Sequence, residues 1–350
     1  MTPLRVSFEP GLTDAQLAGE WDLDCLAHHP KRQALLCSDA RWDADFVCAW
    51  DGDRLVGCVV LARPATPALA DPELRRAVGL VAPQPTDLSR LVFLGSPVEY
   101  ASGVALRRDL PCEAAEVRRD LVAAAALTAH HRQLDLATIF AGPALTADLV
   151  SVAWPGDREA PLAAAVPLTE RAQLTGPFAD FEQYLQAQSG SRRAMIRREL
   201  RTIDRLGLDV SVVELDEAFA AGACDLISEL KVRHGLPEPP RLVQLRVQRW
   251  ARAACGAVRA ILVRAGGRLV AVALTQQCGR RHEVFEAGLR DDFPDRVHAY
   301  ALACFYEPVR QLAEQGGEVL DLGVGTTHAK VLRGATLEQV YGYSTARPPG

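Results

Sequence analysis

Two stretches of the chain show the same pattern: a run of apolar residues, a short polar turn, and a second apolar run. Residues 46–50 and 55–61 flank Asp51-Gly52-Asp53-Arg54, and residues 260–264 and 269–274 flank Ala265-Gly266-Gly267-Arg268. Asp-Gly or Gly-Gly between β-prone runs predicts a tight hairpin, because glycine takes positive φ at no steric cost. The two turns coincide at an offset of 214 residues, which lays Gly52-Asp53-Arg54-Leu55-Val56 over Gly266-Gly267-Arg268-Leu269-Val270. After each hairpin the pattern predicts a strand, a helix and another strand. In the first half these are 91–94, 113–131 and 136–140; in the second, 282–289, 297–315 and 318–322. A repeated order of elements points to a duplicated domain, with boundaries expected at 1–165 and 166–350.

The remaining segments read as follows. Residues 13–29 have helical spacing, opening at Thr13 or Asp14, with Leu17, Trp21 and Leu26 as apolar positions. Residues 63–87 read as loop around one short helix, and Pro143, Pro155, Pro161 and Pro167 mark a connection between the halves. Helices are predicted at 178–188, 191–206, 218–234 and 243–254, a strand at 210–213, and a stiff loop at 235–240. Pro308 predicts a kink in the helix over 297–315, which Gly316-Gly317 should close. Two strands joined by that helix form a βαβ unit, with a crevice beyond the strands' carboxyl ends. Gly323-Val324-Gly325 then leads to Lys330 at the mouth, read as part of a loop over 323–330.

Composition narrows the class. The chain is 49% hydrophobic and 6% aromatic with a net charge of −5, so an anionic partner would have to meet a local basic patch. Its nine cysteines form no Cys-x-x-Cys pair and mostly lie in apolar runs, which predicts reduced thiols and a cytoplasmic protein. Arg5, Glu9 and Asp14 stand where a signal peptide would need apolar residues, and no apolar run is long enough to span a membrane. His28-His29 and His130-His131 lack metal-ligand spacing, so no metal is expected. Oligomeric state is not legible.

Three segments carry a family resemblance. They are Phe181-Glu182-Gln183-Tyr184-Leu185 followed by the arginine-rich stretch from Ser191 to Arg201; Ala313-Glu314-Gln315-Gly316-Gly317-Glu318-Val319-Leu320-Asp321-Leu322-Gly323; and Lys330-Val331-Leu332-Arg333-Gly334. In this order they resemble the GNAT superfamily in its tandem form, that of the Fem-type (FemAB-like) aminoacyltransferases and related N-acetyltransferases. The resemblance implies an α/β (α+β) fold of two tandem GNAT-like, acyl-CoA N-acyltransferase-like domains with mixed sheets. It implies acyl transfer to an amine, with aminoacyl-tRNA as donor in Fem-type enzymes and a lysine of the closing motif stabilising charge. The chain lacks the long helical arm that some Fem-type enzymes carry.

The chemistry can be weighed residue by residue. GNAT enzymes that use coenzyme A cradle its pyrophosphate on a glycine-rich loop at a helix amino terminus. Here that place is taken by Arg290-Asp291-Asp292-Phe293-Pro294-Asp295-Arg296, which has no glycine and three aspartates. Tyr100-Ala101-Ser102-Gly103-Val104 in the first half does not fit either. No resident cofactor is therefore expected: aminoacyl-tRNA is the leading donor, acetyl-CoA the alternative, and a non-catalytic binding protein the third reading. At 100° per residue Arg193, Arg197, Arg198, Arg201 and Arg205 share a helix face that could meet tRNA phosphates. The same face could equally be a solvated one.

Amide formation passes through an oxyanion that needs preorganised positive charge. Lys330 is the candidate, with Arg333, Arg290 and Tyr300 as substrate contacts. The acceptor, a small amine, must lose a proton, for which Asp321, Glu286 and His298 are the candidate bases in that order. Tyr300 and Tyr306 could pack or donate a proton.

Overall fold

A computed structural model describes residues 4–66, 72–82, 87–152 and 165–346. The chain divides into two compact units, Met1–Thr169 with Gln339–Gly350, and Glu170–Glu338. In the second unit Leu208–Val213 pairs antiparallel with Ala257–Ala265, which forms a hairpin with Arg268–Cys278. Arg281–Leu289 adds antiparallel to the hairpin and Val319–Val324 adds parallel to it. A parallel neighbour requires a crossover, and the helical run from Arg296 to Glu314 supplies it.

Both sheet faces of this unit are covered. Ile261, Val263, Ala271 and Ala273 pack with Tyr184, Ile196, Tyr306 and Leu312 on one face. Ala260, Leu262, Val272 and Leu274 pack with Leu226, Ile227, Val243 and Val247 on the other. Successive strand residues point to opposite faces, so a strand covered on both sides reads as a continuous apolar run. Each large aliphatic side chain fully buried this way contributes about 1.5–3 kcal/mol.

The first unit repeats the order with Arg5–Glu9, Trp42–Asp51, Arg54–Pro64, Leu91–Leu94 and Asp135–Ala141, and the helix Ala114–His131 makes its crossover. The correspondence extends to hairpin irregularities. The register shifts between Ala49 and Trp50 in one hairpin and between Val263 and Arg264 in the other, again at the offset of 214 residues. Chain order hides one feature. The strand Val166–Thr175 follows the first repeat, yet its residues 171–175 pair antiparallel with Val319–Val324 in the second unit. The strand Thr336–Ser344 follows the second repeat, and Tyr341–Ser344 pair antiparallel with the first unit's Asp135–Ala141.

Several local expectations are corrected. Residues 13–29 are not one helix: a turn of helix, Asp14–Leu17, is capped by Thr13 and Gln16, and a short strand Trp21–Asp22 and a 3₁₀ turn Leu26–His28 follow. Gly19, at φ +109°, breaks the helical path. The helix expected over 218–234 splits into Leu215–Ala220 and Ala223–Arg233 at Gly222, whose φ is +87°. Pro143 opens a helix, Pro143–Ser151, where a missing N–H costs nothing, and Pro167 lies in a strand. Pro155 and Pro161 lie outside the described residues, as do 67–71 and 83–86 around the helix Pro72–Val81. Ahead of Pro308 the helical run changes to a π turn, Leu302–Tyr306, and it continues as α-helix over Glu307–Glu314. Residues 323–330 are not all loop, since a short helix Thr327–Leu332 carries Lys330. Among the described residues no helix is long and apolar enough to cross a membrane.

Candidate active site

Each unit has a pair of parallel strands joined by a crossover helix, and the two pairs end differently. In the second unit the strands are paired over Arg281–Glu283 and Val319–Asp321 and part beyond them. In the first unit Leu91–Phe93 pair with Asp135–Ala137, and the gap beyond is taken by the unit's own chain. Ser102 bridges to Ala141, its N–H donates to the Phe140 carbonyl at 3.1 Å, and Ser96 bridges to Ala101. A Cβ on Gly95 would come within 2.6 Å of the Ser102 Cβ, so the loop is packed as closely as backbone allows. No such bridge joins 284–289 to 322–324 among the described residues. The second unit's parallel strands stay unbridged past Glu283 and Asp321.

Lys330 is only 6% exposed. Its ammonium donates to the carbonyls of Gly323 at 3.2 Å and Val324 at 3.1 Å, at the end of the second parallel strand. Burial pulls its pKa down to about 8, against the opposing pull of Asp321 and Cys304. The chain reaches the Lys330 helix through Gly325 and then Thr326, a non-glycine residue at φ +49°. Tyr300 hydrogen-bonds to Thr326, and burial pushes its phenol well above the ordinary value.

Asp321 is already engaged. It accepts from the Gly323 N–H at 2.8 Å and pairs with Arg171 at 3.4 Å, with both side chains buried. Arg333 is a buried clamp: it pairs with Glu199, donates to the Ala329 carbonyl at 2.8 Å, and lies 3.3 Å from the Tyr306 hydroxyl. Tyr306 donates to Glu199, and Tyr184 donates to the Arg333 carbonyl at 2.7 Å. This network ties the Lys330 helix to the arginine-rich helix Gly190–Arg205. Lys330, Asp321, Tyr300 and Arg333 are thus brought together.

Glu286 and Arg290 belong elsewhere. Glu286 pairs with Arg246 at 2.6 Å, Arg246 also grips Glu238, and Lys231 reaches Glu238 at 3.0 Å. Burial works against the Arg246 charge, but Glu286 and Glu238 together raise its pKa. Arg290 pairs with Glu229 at 2.6 Å. His298 is half-buried, with Nδ1 3.8 Å from Asp295.

Sequence reasoning passes over Arg171, Arg246 and Glu238, and leaves Glu199 to local pairing on a solvated helix face. A signal existed for Glu199, which lies in the stripe Ile196, Leu200, Ile203 that faces the core. An acid there needs a buried cation.

The loop 290–296 has no glycine, and several of its polar groups are engaged within the protein. Asp291 pairs with Arg233 and Asp292 with Arg268. The N–H groups of Phe293, Arg296 and His298 donate to the carbonyls of Arg290, Phe293 and Asp295. On the basic helix Arg197, Arg198, Arg201 and Arg205 are exposed and Arg193 is half-buried. Arg197 pairs with Glu182 at 2.6 Å and Arg205 donates to Thr202 at 3.0 Å.

Residues 190–331 match the family model described as an acetyltransferase (GNAT) domain. No match is found among curated proteins. Solved structures share the fold over nearly the whole chain. FemX is 11% identical with a TM-score of 0.56, covering 91% of this chain and 92% of its own. L-PGS from Bacillus licheniformis is 11% identical with a TM-score of 0.55, covering 93% and 88%. A conserved protein of unknown function from Bacteroides thetaiotaomicron is 13% identical with a TM-score of 0.58, covering 99% and 100%. The match to a GNAT domain thus falls within the second unit, in a chain whose fold is similar to that of FemX.

Proposed function

We propose that the second unit transfers an aminoacyl group from aminoacyl-tRNA to a small amine, forming an amide. The observation that carries the choice of donor is the 290–296 loop. Asp291 and Asp292 are ion-paired, the N–H groups named above are satisfied internally, and the loop has no glycine to let a coenzyme A diphosphate approach its backbone. The Fem-type segments of the sequence and the fold shared with FemX support the same donor.

In this reading the acceptor nitrogen attacks the ester carbonyl of the charged tRNA. A C–N bond forms, the bond to the ribose oxygen breaks, and the departing oxygen takes a proton. The Lys330 ammonium supplies the positive field for the oxyanion. Asp321, tied to Arg171 and Gly323, positions the strand end, and the proton the acceptor gives up passes to the departing ribose oxygen. Arg198 and Arg201, exposed on the basic helix, meet the tRNA backbone.

The second reading, an acyl-CoA donor, is favoured by the acetyltransferase description of the matching family model. Calorimetric titration with coenzyme A separates the two. The aminoacyl-tRNA reading expects no saturable heat, and stoichiometric micromolar binding would overturn it.

A further inference from the structure

The helix Pro240–Arg252 carries arginines at 241, 246, 249 and 252 and no acidic residue, in a chain with a net charge of −5. Its inner side is accounted for: Val243, Val247 and Trp250 are buried, and Arg246 turns in to Glu238 and Glu286. On the outer side, at 100° per residue, Arg241, Arg252, Leu245 and Leu242 fall within one arc of about 100°. Leu242 and Leu245 are 52% and 53% exposed, and Arg241 and Arg252 are exposed beside them.

We propose that this face docks the protein on a bilayer surface rich in anionic phospholipid. The occupant follows from the two chemistries the face presents together. A nucleic acid would pair with the guanidiniums and leave both leucines in water. A bilayer takes both, with guanidiniums among the headgroup phosphates and leucine side chains just below them. The attraction is local, since the whole chain is acidic. Docking on this helix is independent of the acyl donor. Through Arg246 it holds the strand bearing Glu286 close to the membrane surface.

Co-sedimentation of the full chain with phosphatidylcholine vesicles, with and without phosphatidylglycerol, tests this. Binding is expected only with the anionic lipid and should weaken with salt. Arg241→Ala with Arg252→Ala should lower the partition coefficient about 25-fold, at roughly fivefold per arginine. Leu242→Asp with Leu245→Asp should lower it by at least about tenfold. Both double variants should keep the wild-type circular dichroism and melting temperature, since all four side chains lie outside the core. Any one of three results overturns the proposal: no sedimentation of wild type with phosphatidylglycerol vesicles, equal sedimentation with phosphatidylcholine alone, or full binding by the leucine double variant. A change of solution mass in the leucine variant, measured by sedimentation equilibrium without lipid, would assign the face to a second copy of the chain instead.

Discussion

Replacing Lys330 with methionine keeps the length of the side chain and removes its charge. Moving a lysine from 10.5 to about 8 corresponds to roughly 3 kcal/mol at about 1.36 kcal/mol per pH unit. The sign follows from proton linkage. Below pH 8 the lysine is charged in the folded and unfolded states alike, and stability has no slope from this group. Between 8 and 10.5 the unfolded chain holds more protons, so stability rises with pH; it levels off above 10.5. Relative to Lys330→Met, wild-type stability should therefore rise by about 2 kcal/mol between pH 7 and 9.5.

Urea unfolding of the two proteins across that range is the assay. The kinetic counterpart uses the same group: if the ammonium serves the oxyanion, the ratio of wild-type to variant kcat should be flat below pH 8. It should fall about tenfold per pH unit above it. A stability difference independent of pH, together with near-wild-type turnover in Lys330→Met, would refute both the buried charge and its role. The variant also leaves the Gly323 and Val324 carbonyls without their donor. That sets a constant offset of about 1–3 kcal/mol per carbonyl, which does not alter the slope.

Other outcomes follow from particular contacts. Arg198→Ala with Arg201→Ala should weaken tRNA binding and flatten its log–log salt dependence by about 0.7–0.9 per lost phosphate contact; filter binding across a salt series reads this, and an unchanged slope would remove the basic helix from the interface. A Cβ on Gly288 would lie 2.6 Å from the Ile227 nitrogen and 2.7 Å from the Leu226 carbonyl carbon. Gly288→Ala should accordingly cost about 1–3 kcal/mol in urea unfolding, and a loss below about 0.5 kcal/mol would show that the helix Ala223–Arg233 can shift away from the strand.

The repeat and its hairpins were legible because their signals are local: Asp-Gly and Gly-Gly turns between apolar runs fix register within a few residues. The offset of 214 residues even carries over to the bulge at Ala49/Trp50 and Val263/Arg264. Two kinds of feature were not legible. Helix irregularities depend on local backbone conformation, such as the break at Gly222 and the π turn before Pro308, and periodicity runs straight through both. The placement of Val166–Thr175 and Thr336–Ser344 depends on strand partners far away in sequence, which no pattern along the chain specifies.

At the site, the sequence located Lys330, Arg333 and Asp321 together but could not see what held them. Asp321 reads as a free carboxylate until Arg171 is found beside it. Arg333 reads as a second active-site cation until Glu199 and Tyr306 are found to enclose it. The loop 290–296 was read correctly as lacking glycine, but for an incomplete reason. Asp291 and Asp292 would repel a diphosphate if they were free; they are paired instead with Arg233 and Arg268, which occupies both partners.

The most direct test of the donor is transfer itself. Purified protein is incubated with a panel of amines and either charged tRNA or acetyl-CoA, with and without ribonuclease, and amide product is followed by mass spectrometry. The account predicts product from charged tRNA that ribonuclease abolishes, and none from acetyl-CoA. Product formed from acetyl-CoA alone, insensitive to ribonuclease, would contradict it.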